Sequence, residues 1–377
     1  MAIYFDCNAT TPMAPEVFEA MHTFFLEEYG NPGSRTHEYG NRAKKVVEAA
    51  RREIATALGL KVGDRIIFTS GATESNNQAF FGLENYARKS QKNRIIVSSI
   101  EHKAVLEPAA ELEKRGFEVI RLQVCKNGQI DLEHLKNALN EKTFLVSIMH
   151  VNNETSVIQP LPQICEILKN SQAFFHTDSA QGFGKEMTML SNSRIDMISM
   201  SGHKLYGPKG IGALILRRRG FEKIPLTPLI FGGGQEDGYR AGTLAVPLIV
   251  GLGRAVTIAF RDHKEREASC QKIRQEVLHF IDKIGGVING DPAATISSGI
   301  NFSIPGVDSE AAILALKDVI AISNGSACTS QSYTPSHVLT AMNLDNARVK
   351  GALRFSWSHL TPDVDWELAF SQLKKLL

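Results

Sequence analysis

Short apolar runs alternate with helical patterns through the middle of the chain. The runs are continuous and rich in Ile, Val and Phe, which is typical of strands buried on both faces of a sheet. They cover residues 66–68, 95–97, 144–148, 173–175, 197–200 and 211–216. Helical patterns lie between them, for example over 43–58 and 161–168. This alternation predicts an α/β domain built on a mostly parallel sheet.

The last third of the chain has a different pattern. From 246 to 284 the spacing of apolar residues predicts one long helix that bridges two domains, with many charges over 261–267. Shorter strands are predicted over 300–304 and 352–357. The predicted division is a large domain over 14–260 and a smaller α+β domain formed by 1–13 and 261–377.

Composition and charge exclude several classes of protein. The chain has 377 residues, 43% of them hydrophobic, which is enough for one large domain and a smaller one. Because 42 Lys and Arg residues nearly balance 40 Asp and Glu residues, charge gives no reason to expect direct binding to nucleic acid or to a membrane surface. The chain contains no apolar run of roughly 18 residues and no secretory signal at its start, so we expect no membrane span.

Five cysteines are scattered along the chain: Cys7, Cys125, Cys165, Cys270 and Cys328. None of them forms a C-x-x-C pair, so we predict neither a disulfide framework nor a metal site. The expectation is a reduced globular protein of the cytoplasm.

Polar clusters follow several of the predicted strands. They cover residues 69–74, 101–102, 152–154, 178–181 and 201–204. Ligands of open α/β sheets bind at the carboxyl ends of the strands. Five clusters at five strand ends therefore predict one cleft.

The first cluster contains SGATES, residues 70–75. Gly71 allows a tight turn and Ala72-Thr73 would begin the next helix. Backbone N–H groups there, together with the hydroxyls of Ser70 and Thr73, suit a phosphate group. The alternative is that Ser and Thr only cap the helix.

The segment HTDSAQ, residues 176–181, places Asp178 at the end of a buried apolar run. A carboxylate in such a place needs a cationic or hydrogen-bonding partner, and a protonated ring nitrogen is one. The alternative is that Asp178 caps the following helix.

The segment SGHKLYGPKG, residues 201–210, places Lys204 directly after another buried strand. A desolvated lysine in a cleft is a candidate for a Schiff-base amine. Ser201 and His203 offer further donors to an anion. The alternative is a lysine that extends its amine into solvent.

Together, a phosphate site, a buried Asp178 and a buried Lys204 describe a site for pyridoxal phosphate (PLP). The lysine would hold the cofactor, the aspartate its ring nitrogen, and the helix start its phosphate. His102, at the end of the preceding strand, would lie over the ring, although a lone histidine after a strand is more often structural.

These stretches resemble the cysteine desulfurase family of fold-type I PLP enzymes. The matching segments run in order along nearly the whole chain: YFDCNATTP (4–12), YGNPGSRTHEYG (29–40), FTSGATESNN (68–77), SSIEHKAV (98–105), HVNNET (150–155), HTDSAQ (176–181), SGHKLYGPKGIG (201–212), GGGQEDGYRAGT (232–243), SNGSACTS (323–330) and ALRFSWS (352–358). The resemblance implies a large domain with a mostly parallel seven-stranded sheet and a smaller α+β domain.

The resemblance also implies roles for individual residues. Lys204 would hold PLP, Asp178 its pyridine nitrogen and Gln181 its phenolic oxygen. His102 would stack on the ring and act as a catalytic proton donor or acceptor. The phosphate would be bound by Ala72, Thr73, Ser201 and His203, and by Thr243 from the other subunit of a homodimer. Asn153 and Arg354 would hold the substrate carboxylate, because a guanidinium binds carboxylates with two parallel hydrogen bonds.

Cys328 lies in ISNGSACTSQS, residues 322–332, among small and polar side chains. By the resemblance it is the nucleophile: its thiolate attacks the sulfur of L-cysteine, keeps that sulfur as a persulfide for an acceptor protein, and alanine is released. Taken alone, Cys328 would more often be an inert thiol in a loop. The other four cysteines are predicted to be structural.

Some positions depart from the commonest family pattern. They are Cys7-Asn8, the added-looking Arg35-Thr36, the residues Gln331, Tyr333 and His337 around the active loop, and RFSWSHLT without Gly-Arg before Thr361. We take them to resemble the subgroup that supplies sulfur for DNA phosphorothioation. The alternative is a general desulfurase for iron–sulfur cluster assembly or tRNA thiolation.

Two other classes remain open on the sequence. One is a different PLP enzyme, such as a selenocysteine lyase or an aminotransferase-like enzyme, although a nucleophilic Cys328 argues against an aminotransferase. The other is a scaffold that binds PLP and partners without turnover, against which the presence of Lys204, His102 and Cys328 argues.

Overall fold

A computed structural model describes residues 2–325 and 335–377 of the chain. Cys328 and its neighbours in the sequence lie outside the described residues. None of the helices within these two ranges is long and apolar enough to cross a membrane.

The large sheet has seven strands. In chain order they are β2 (Arg65–Thr69), β3 (Arg94–Ser98), β4 (Glu118–Leu122), β5 (Thr143–Ser147), β6 (Phe174–Asp178), β7 (Met197–Ser201) and β8 (Gly212–Leu216). Their order across the sheet is β2-β8-β7-β6-β5-β3-β4. All neighbours pair in parallel except β8, which runs antiparallel to both β2 and β7. The predicted α/β fold with a mostly parallel seven-stranded sheet is confirmed.

Helices cover both faces of this sheet. They are α1 (Pro15–Leu26), α2 (Glu38–Ala57), α3 (Ala72–Phe81), α4 (Glu84–Lys89), α5 (Lys103–Lys114), α6 (Leu132–Ala138), α7 (Leu161–Ile167) and α8 (Val246–Arg261). On β2, Ile66 and Phe68 pack into one apolar core while Ile67 packs into the other. Alternate residues of a strand point to opposite faces, so a strand covered on both sides reads as a continuous apolar run.

The remaining elements form two smaller sheets and their helices. They are β1 (Ile3–Tyr4), α9 (His263–Lys283), β9 (Val287–Ile288), β10 (Gly299–Ser303), α10 (Ser309–Leu316), β11 (Ile320–Ala321), α11 (His337–Ala341), α12 (Asn346–Lys350), β12 (Ala352–Ser356) and α13 (Trp366–Leu373). β10 lies between β12 and β9 in an antiparallel sheet, and β1 pairs in parallel with β11. The division into two domains stays a prediction.

One strand of the large sheet was missed by the apolar pattern, and one prediction, the single long helix, was wrong. The pattern gave no signal for β4, because it is an edge strand whose Glu118 and Arg121 are partly or fully exposed. The region predicted as one helix over 246–284 is two helices, α8 and α9, separated at Asp262. α8 packs into the core of the large sheet and α9 into the core around β10, so the chain changes direction between them.

The N-terminal segment, residues 3–11, is held against the rest of the chain by contacts that are distant in sequence. Phe5 is fully buried and packs against Phe355 and Trp357, with ring centroids 5.9 Å apart in both pairs. The N–H of Cys7 donates to the carbonyl of Ser356 (3.0 Å). Burial of a phenylalanine stabilises a fold by about 1.5–3 kcal/mol, so Phe5 anchors this segment beside the edge of the large sheet.

Candidate active site

A cavity of about 550 Å³ opens at the carboxyl edge of the large sheet. It brings together ten of the residues that the sequence singled out: Ala72, Thr73, His102, Asn153, Asp178, Gln181, Ser201, His203, Lys204 and Arg354. β6 ends at Asp178 and β7 ends at Ser201, so the parallel strands deliver these side chains to one place. The predicted convergence of the strand ends is therefore seen in the structure.

Asp178 is 5% exposed, and its carboxylate has two donors. The side-chain amide of Asn76 donates to Oδ2 (2.7 Å) and the N–H of Ala180 donates to Oδ1 (2.9 Å). A buried carboxylate must be hydrogen-bonded or paired to remain charged. These two donors orient Asp178 at the cavity wall, where a protonated ring nitrogen would supply the opposite charge.

Lys204 lies in a single 3₁₀ turn, Gly202–Lys204, directly after β7. Its Nζ donates to the carbonyls of Asn8 and Ala9, the latter at 2.8 Å. Gln181 donates from Nε2 to the same carbonyl of Asn8 (2.7 Å). The N-terminal segment thus forms one wall of the cavity and holds the amine inside it.

The opposite end of the cavity suits a phosphate group. α3 begins at Ala72, so its first N–H groups face this end together with Ser201 and Thr73. A side-chain carbon on Gly212 would lie 2.7 Å from the Cα of Gly71, so only glycine allows β8 to approach the start of α3 this closely.

His203 lies next to this phosphate end of the cavity. Partial burial and the nearby Lys204, Lys209 and Lys185 lower the pKa of His203 to about 4. The ring is therefore neutral at pH 7. Its Nδ1 shares a hydrogen bond with the hydroxyl of Thr10 (3.1 Å).

Arg354 extends from β12 and is 2% exposed. Its Nη2 donates to Oδ1 of Asp6 (2.6 Å) and its Nη1 donates to the carbonyl of Asn153 (3.0 Å). Its buried Nε has no hydrogen-bond partner among the described residues. A guanidinium has five N–H donors, so Arg354 keeps donors for an incoming carboxylate beside Asn153.

Glu101 is fully buried next to His102. Its Oε1 accepts hydrogen bonds from the Ser98 hydroxyl (2.5 Å) and from the N–H of Met149 (2.8 Å). Burial, opposed by these hydrogen bonds and reinforced by the charge of Asp178, raises the pKa of Glu101 to about 8. The carboxyl is therefore mainly protonated at pH 7.

A second cavity of about 390 Å³ adjoins the first, and we call it the outer cavity. His102 and Asn153 line both cavities. His337 and Arg121 also line the outer cavity. Gly325 and Pro335, which end and begin the two described ranges, contribute to it as well.

Two predicted site residues are not brought together with the rest. Thr243 is exposed and lines a different cavity, of about 600 Å³, that contains none of the ten residues named above. Its predicted role was in the site of the other subunit, which a single chain cannot display. Cys328 lies outside the described residues.

The cavity fits PLP by its chemistry. Buried polar atoms on its wall, Oε1 of Gln181, Oδ1 of Asn8 and Oδ1 of Asn76, have no hydrogen-bond partner among the described residues. Such atoms are costly unless a ligand or water satisfies them. A carboxylate, an amine and a helix N-terminus in one cavity match the ring nitrogen, the aldehyde and the phosphate of this cofactor.

Sequence analysis missed several residues of the site. Asn76, Glu101, Asp6 and the carbonyls of Asn8 and Ala9 were not assigned roles, although all lie within the quoted motifs. Asn76 had a usable signal, because it stands four residues after Ala72 and so shares its helix face. The carbonyls of Asn8 and Ala9 had no such signal, since every residue has a backbone carbonyl.

We expect Asn76→Ala to weaken PLP binding. The substitution removes one of the two donors to the buried Asp178, and a hydrogen bond to a charged group contributes about 1.5–3 kcal/mol, so the dissociation constant should rise roughly 10-fold to 100-fold. Titration of the cofactor-free protein with PLP, followed by absorbance, measures this. Asn77→Ala is the control, because its amide donates to the carbonyl of Thr73 instead. Equal affinity of the two variants would contradict the role of Asn76.

We expect Glu101→Gln to stabilise the protein at alkaline pH. Above its ordinary pKa of 4.5 the unfolded chain releases this proton while the folded protein keeps it up to about pH 8, so the free energy of unfolding falls over that interval. Glutamine retains an acceptor and has no proton to lose. Urea unfolding at pH 5 and pH 8 should show an advantage of a few kcal/mol for the variant at the higher pH only. Glu107→Gln, at an exposed position on the adjacent helix α5, is the control, and an advantage of equal size at both pH values would contradict the prediction.

Known proteins are similar to this chain over nearly its whole length. The family model of class-V aminotransferases matches residues 3–365. A cysteine desulfurase IscS of Rickettsia bellii is 46% identical over 385 aligned residues, covering 100% of this chain and 92% of that protein. The corresponding protein of Rickettsia massiliae is 45% identical over 371 residues, covering 98% and 89%.

Solved structures show the same similarity. A NifS-like protein is 36% identical with a TM-score of 0.89, covering 100% of this chain and 98% of that one. DndA from Streptomyces lividans is 44% identical with a TM-score of 0.82, covering 93% and 98%. SspA in complex with cysteine is 38% identical with a TM-score of 0.83, covering 96% and 100%. The chain therefore belongs to the class-V aminotransferase family and, within it, to the PLP-dependent cysteine desulfurases that resemble IscS and NifS.

Proposed function

We propose that this cysteine desulfurase removes sulfur from L-cysteine, carries it on Cys328 and passes it to an acceptor protein for DNA phosphorothioate modification. The observation that carries the catalytic part is one cavity in which Lys204, Asp178 and Arg354 meet. The pathway rests on sequence similarity. Its support is the departures from the common family pattern and the 44% identity to DndA.

Four residues of the cavity have proposed roles in binding the substrate and the cofactor. Arg354 and Asn153 hold the substrate carboxylate, and Asp178 holds the ring nitrogen of the cofactor. PLP, when bound, supplies the electron sink for the reaction. Lys204 would hold the cofactor, and its amine, once free, would accept the proton from the α-carbon of the substrate.

The sulfur step conserves every atom. The Cys328 thiolate attacks the substrate sulfur, a sulfur–sulfur bond forms, and the bond between that sulfur and the substrate β-carbon breaks with its electron pair going to carbon. Protonation of that carbon, and return of the proton from the Lys204 amine to the α-carbon, give alanine. The net reaction converts L-cysteine and the Cys328 thiol into L-alanine and a Cys328 persulfide, without an added oxidant or reductant.

A homodimer is part of the proposal. Thr243 is exposed, as a residue that completes the phosphate site of a partner subunit must be in a single chain. Large apolar side chains on and after α1 are also exposed, including Phe25 at 57%, Leu26 at 73% and Tyr29 at 70%. Pro32, three residues after Tyr29, lines the same cavity as Thr243. Monomeric proteins rarely leave so much apolar surface exposed, and an interface here would cover it. Sedimentation of the protein as a monomer would contradict the proposed homodimer.

A general desulfurase is the second candidate. The IscS proteins of Rickettsia are as similar to this chain as DndA is, at 44–46% identity. The acceptor protein is selected by contacts on the surface of the desulfurase and not by the cavity. The reaction in the cavity is therefore the same for both candidate functions.

We expect Cys328→Ser to abolish turnover while PLP binding remains. The hydroxyl is a far weaker nucleophile than the thiolate, so alanine formation from L-cysteine should fall by at least about 100-fold. Alanine is quantified after incubation with L-cysteine. The mass of the Cys328 peptide from the unsubstituted protein is measured before any reductant is added, and it should show one extra sulfur. Cys125→Ser is the matched control, because Cys125 is an exposed free cysteine outside the cavity. Alanine formation that survives Cys328→Ser would show a lyase that does not use this thiol.

The pathway is tested in the native host. We expect deletion of the gene to remove phosphorothioate linkages from DNA, and a plasmid copy carrying Cys125→Ser, but not Cys328→Ser, to restore them. Mass spectrometry of digested DNA measures the linkages, and thiolated tRNA nucleosides are measured in the same cells. Loss of tRNA thiolation with unchanged DNA would favour the general desulfurase instead.

A further inference from the structure

The loop 232–243, which ends at Thr243, is attached to its own subunit by one buried ion pair. Of residues 231–240, all of which the structure describes, only Glu236 is buried. Its side chain is 2% exposed. Nη2 of Arg51 on α2 donates to its Oε1 (2.8 Å), and Nη1 donates to its Oε2 (3.2 Å). Because a buried carboxylate must be paired or hydrogen-bonded, and a guanidinium pairs with it through two parallel hydrogen bonds, this contact attaches the loop firmly.

The same ion pair covers an open edge of the large sheet. β2 is an edge strand, so one row of its backbone groups has no neighbouring strand in the part of the chain that the structure describes. Oε2 of Glu236 accepts from the N–H of Phe68 (2.8 Å), and Nη1 of Arg51 donates to the carbonyl of Ile66. The guanidinium also lies over the ring of Phe68, 4.7 Å from its centroid. Movement of either side chain would leave buried backbone groups unsatisfied, which restricts the loop to one position.

The backbone of the loop is strained at this attachment. Glu236 and Asp237 have φ angles of 52° and 54°, and Gly238 follows with 84°. Two consecutive non-glycine residues in the left-handed region are costly, and such conformations persist only where neighbouring contacts enforce them. The buried pair with Arg51 supplies that contact, while Asp237 makes only a partly exposed pair with Arg65 (2.7 Å). The loop is therefore held in a conformation that it would not adopt without Arg51.

The attachment extends along the loop to Thr243. Oε1 of Gln235, the residue before the buried carboxylate, accepts from the N–H of Gly242 (2.9 Å). On the other side of Thr243, Leu244 packs against the core of the large sheet. Thr243 itself is exposed and does not line the cofactor cavity of its own chain. Both of its neighbours are thus fixed while its own side chain is presented outward.

We propose that Glu236 and Arg51 are positioning residues for the cofactor site of the partner subunit, because they hold the loop so that Thr243 reaches the phosphate bound there. The inference rests on the proposed homodimer, in which Thr243 completes that phosphate site. The alternative is that the loop acts on its own subunit, through the hydrogen bond from Nε of Arg240 to Oε1 of Glu74 (2.9 Å) in the first turn of α3. The two interpretations predict opposite results for dimers made of two different chains.

We expect Glu236→Gln to weaken the binding of PLP to the cofactor-free homodimer by at least about fivefold. Glutamine fills the same space and can accept from the N–H of Phe68, but it has no charge to pair with Arg51. Asp237→Asn is the matched control, because the pair with Arg65 is partly exposed and asparagine tolerates a left-handed backbone, so its affinity should stay within about twofold. Unchanged affinity in Glu236→Gln would overturn the proposal.

Two mixed dimers show in which subunit Glu236 acts. Each is purified through two different affinity tags, one on each chain, and in each of them one chain carries Lys204→Ala. The absorbance of lysine-bound PLP then reports only on the site that retains Lys204. In the first dimer Glu236→Gln is in the chain that retains Lys204, and in the second it is in the chain with Lys204→Ala. Because each site would take Thr243 from the other chain, we expect the first dimer to bind PLP with unsubstituted affinity and the second to show the loss.

Each other outcome counts against the inference. The reverse order would place the effect within one subunit, and equal affinities of the two dimers would show a general loss of stability. If Glu236→Gln does not fold, Arg51→Lys replaces it in both dimers, because lysine keeps the charge but cannot make two parallel hydrogen bonds.

The proposed function fails in different ways. If the unsubstituted protein sediments as a monomer and no doubly tagged dimer is recovered, the homodimer is contradicted and this inference is contradicted with it. The PLP affinities do not depend on turnover. Absence of alanine formation from L-cysteine would therefore contradict the desulfurase function alone and leave the comparison of the two mixed dimers valid.

Discussion

The buried carboxylate of Asp178 is the constraint around which the site is organised. A charge that is 5% exposed needs donors, and Asn76 and the N–H of Ala180 supply them from two different elements. Because Asn76 lies in the second turn of α3, the same helix that orients the carboxylate also directs its N-terminus at the phosphate end. The distance between the two ends of the cofactor is thus defined by one rigid element.

The N-terminal segment closes the site from the other side. Phe5 anchors it in the core around β10, and its carbonyls at Asn8 and Ala9 receive the amine of Lys204. The same segment supplies Asp6 to Arg354, which extends from β12. Two groups that are predicted to bind opposite parts of the substrate complex are therefore positioned by a stretch of a few residues. A shift of this segment would disturb both, which couples the small sheets to the catalytic cavity.

Much of this arrangement was predictable because buried parallel strands appear in the sequence as continuous apolar runs. The six apolar runs coincide with six strands of the large sheet to within three residues at either end. The edge strand β4 has no continuous apolar run, since its residues Glu118 and Arg121 reach solvent. The break at Asp262 was missed because the charged stretch 261–267 was interpreted as part of one continuous helix, although the two helices pack into different cores.

The sequence alone determined the fold class, the strand-end clusters and the residue types for PLP chemistry, because local patterns and motifs encode them. Only the tertiary structure decided which groups meet. Asn76 and Asp178 are 102 positions apart in the sequence, and Asp6 and Arg354 are 348 positions apart. No local sequence pattern therefore predicts either contact. The hydrogen bond that the N–H of Ala104 donates to Nδ1 of His102 is also decided there, since it depends on how the chain enters α5. Pairings of this kind depend on packing, which is a property of the whole chain.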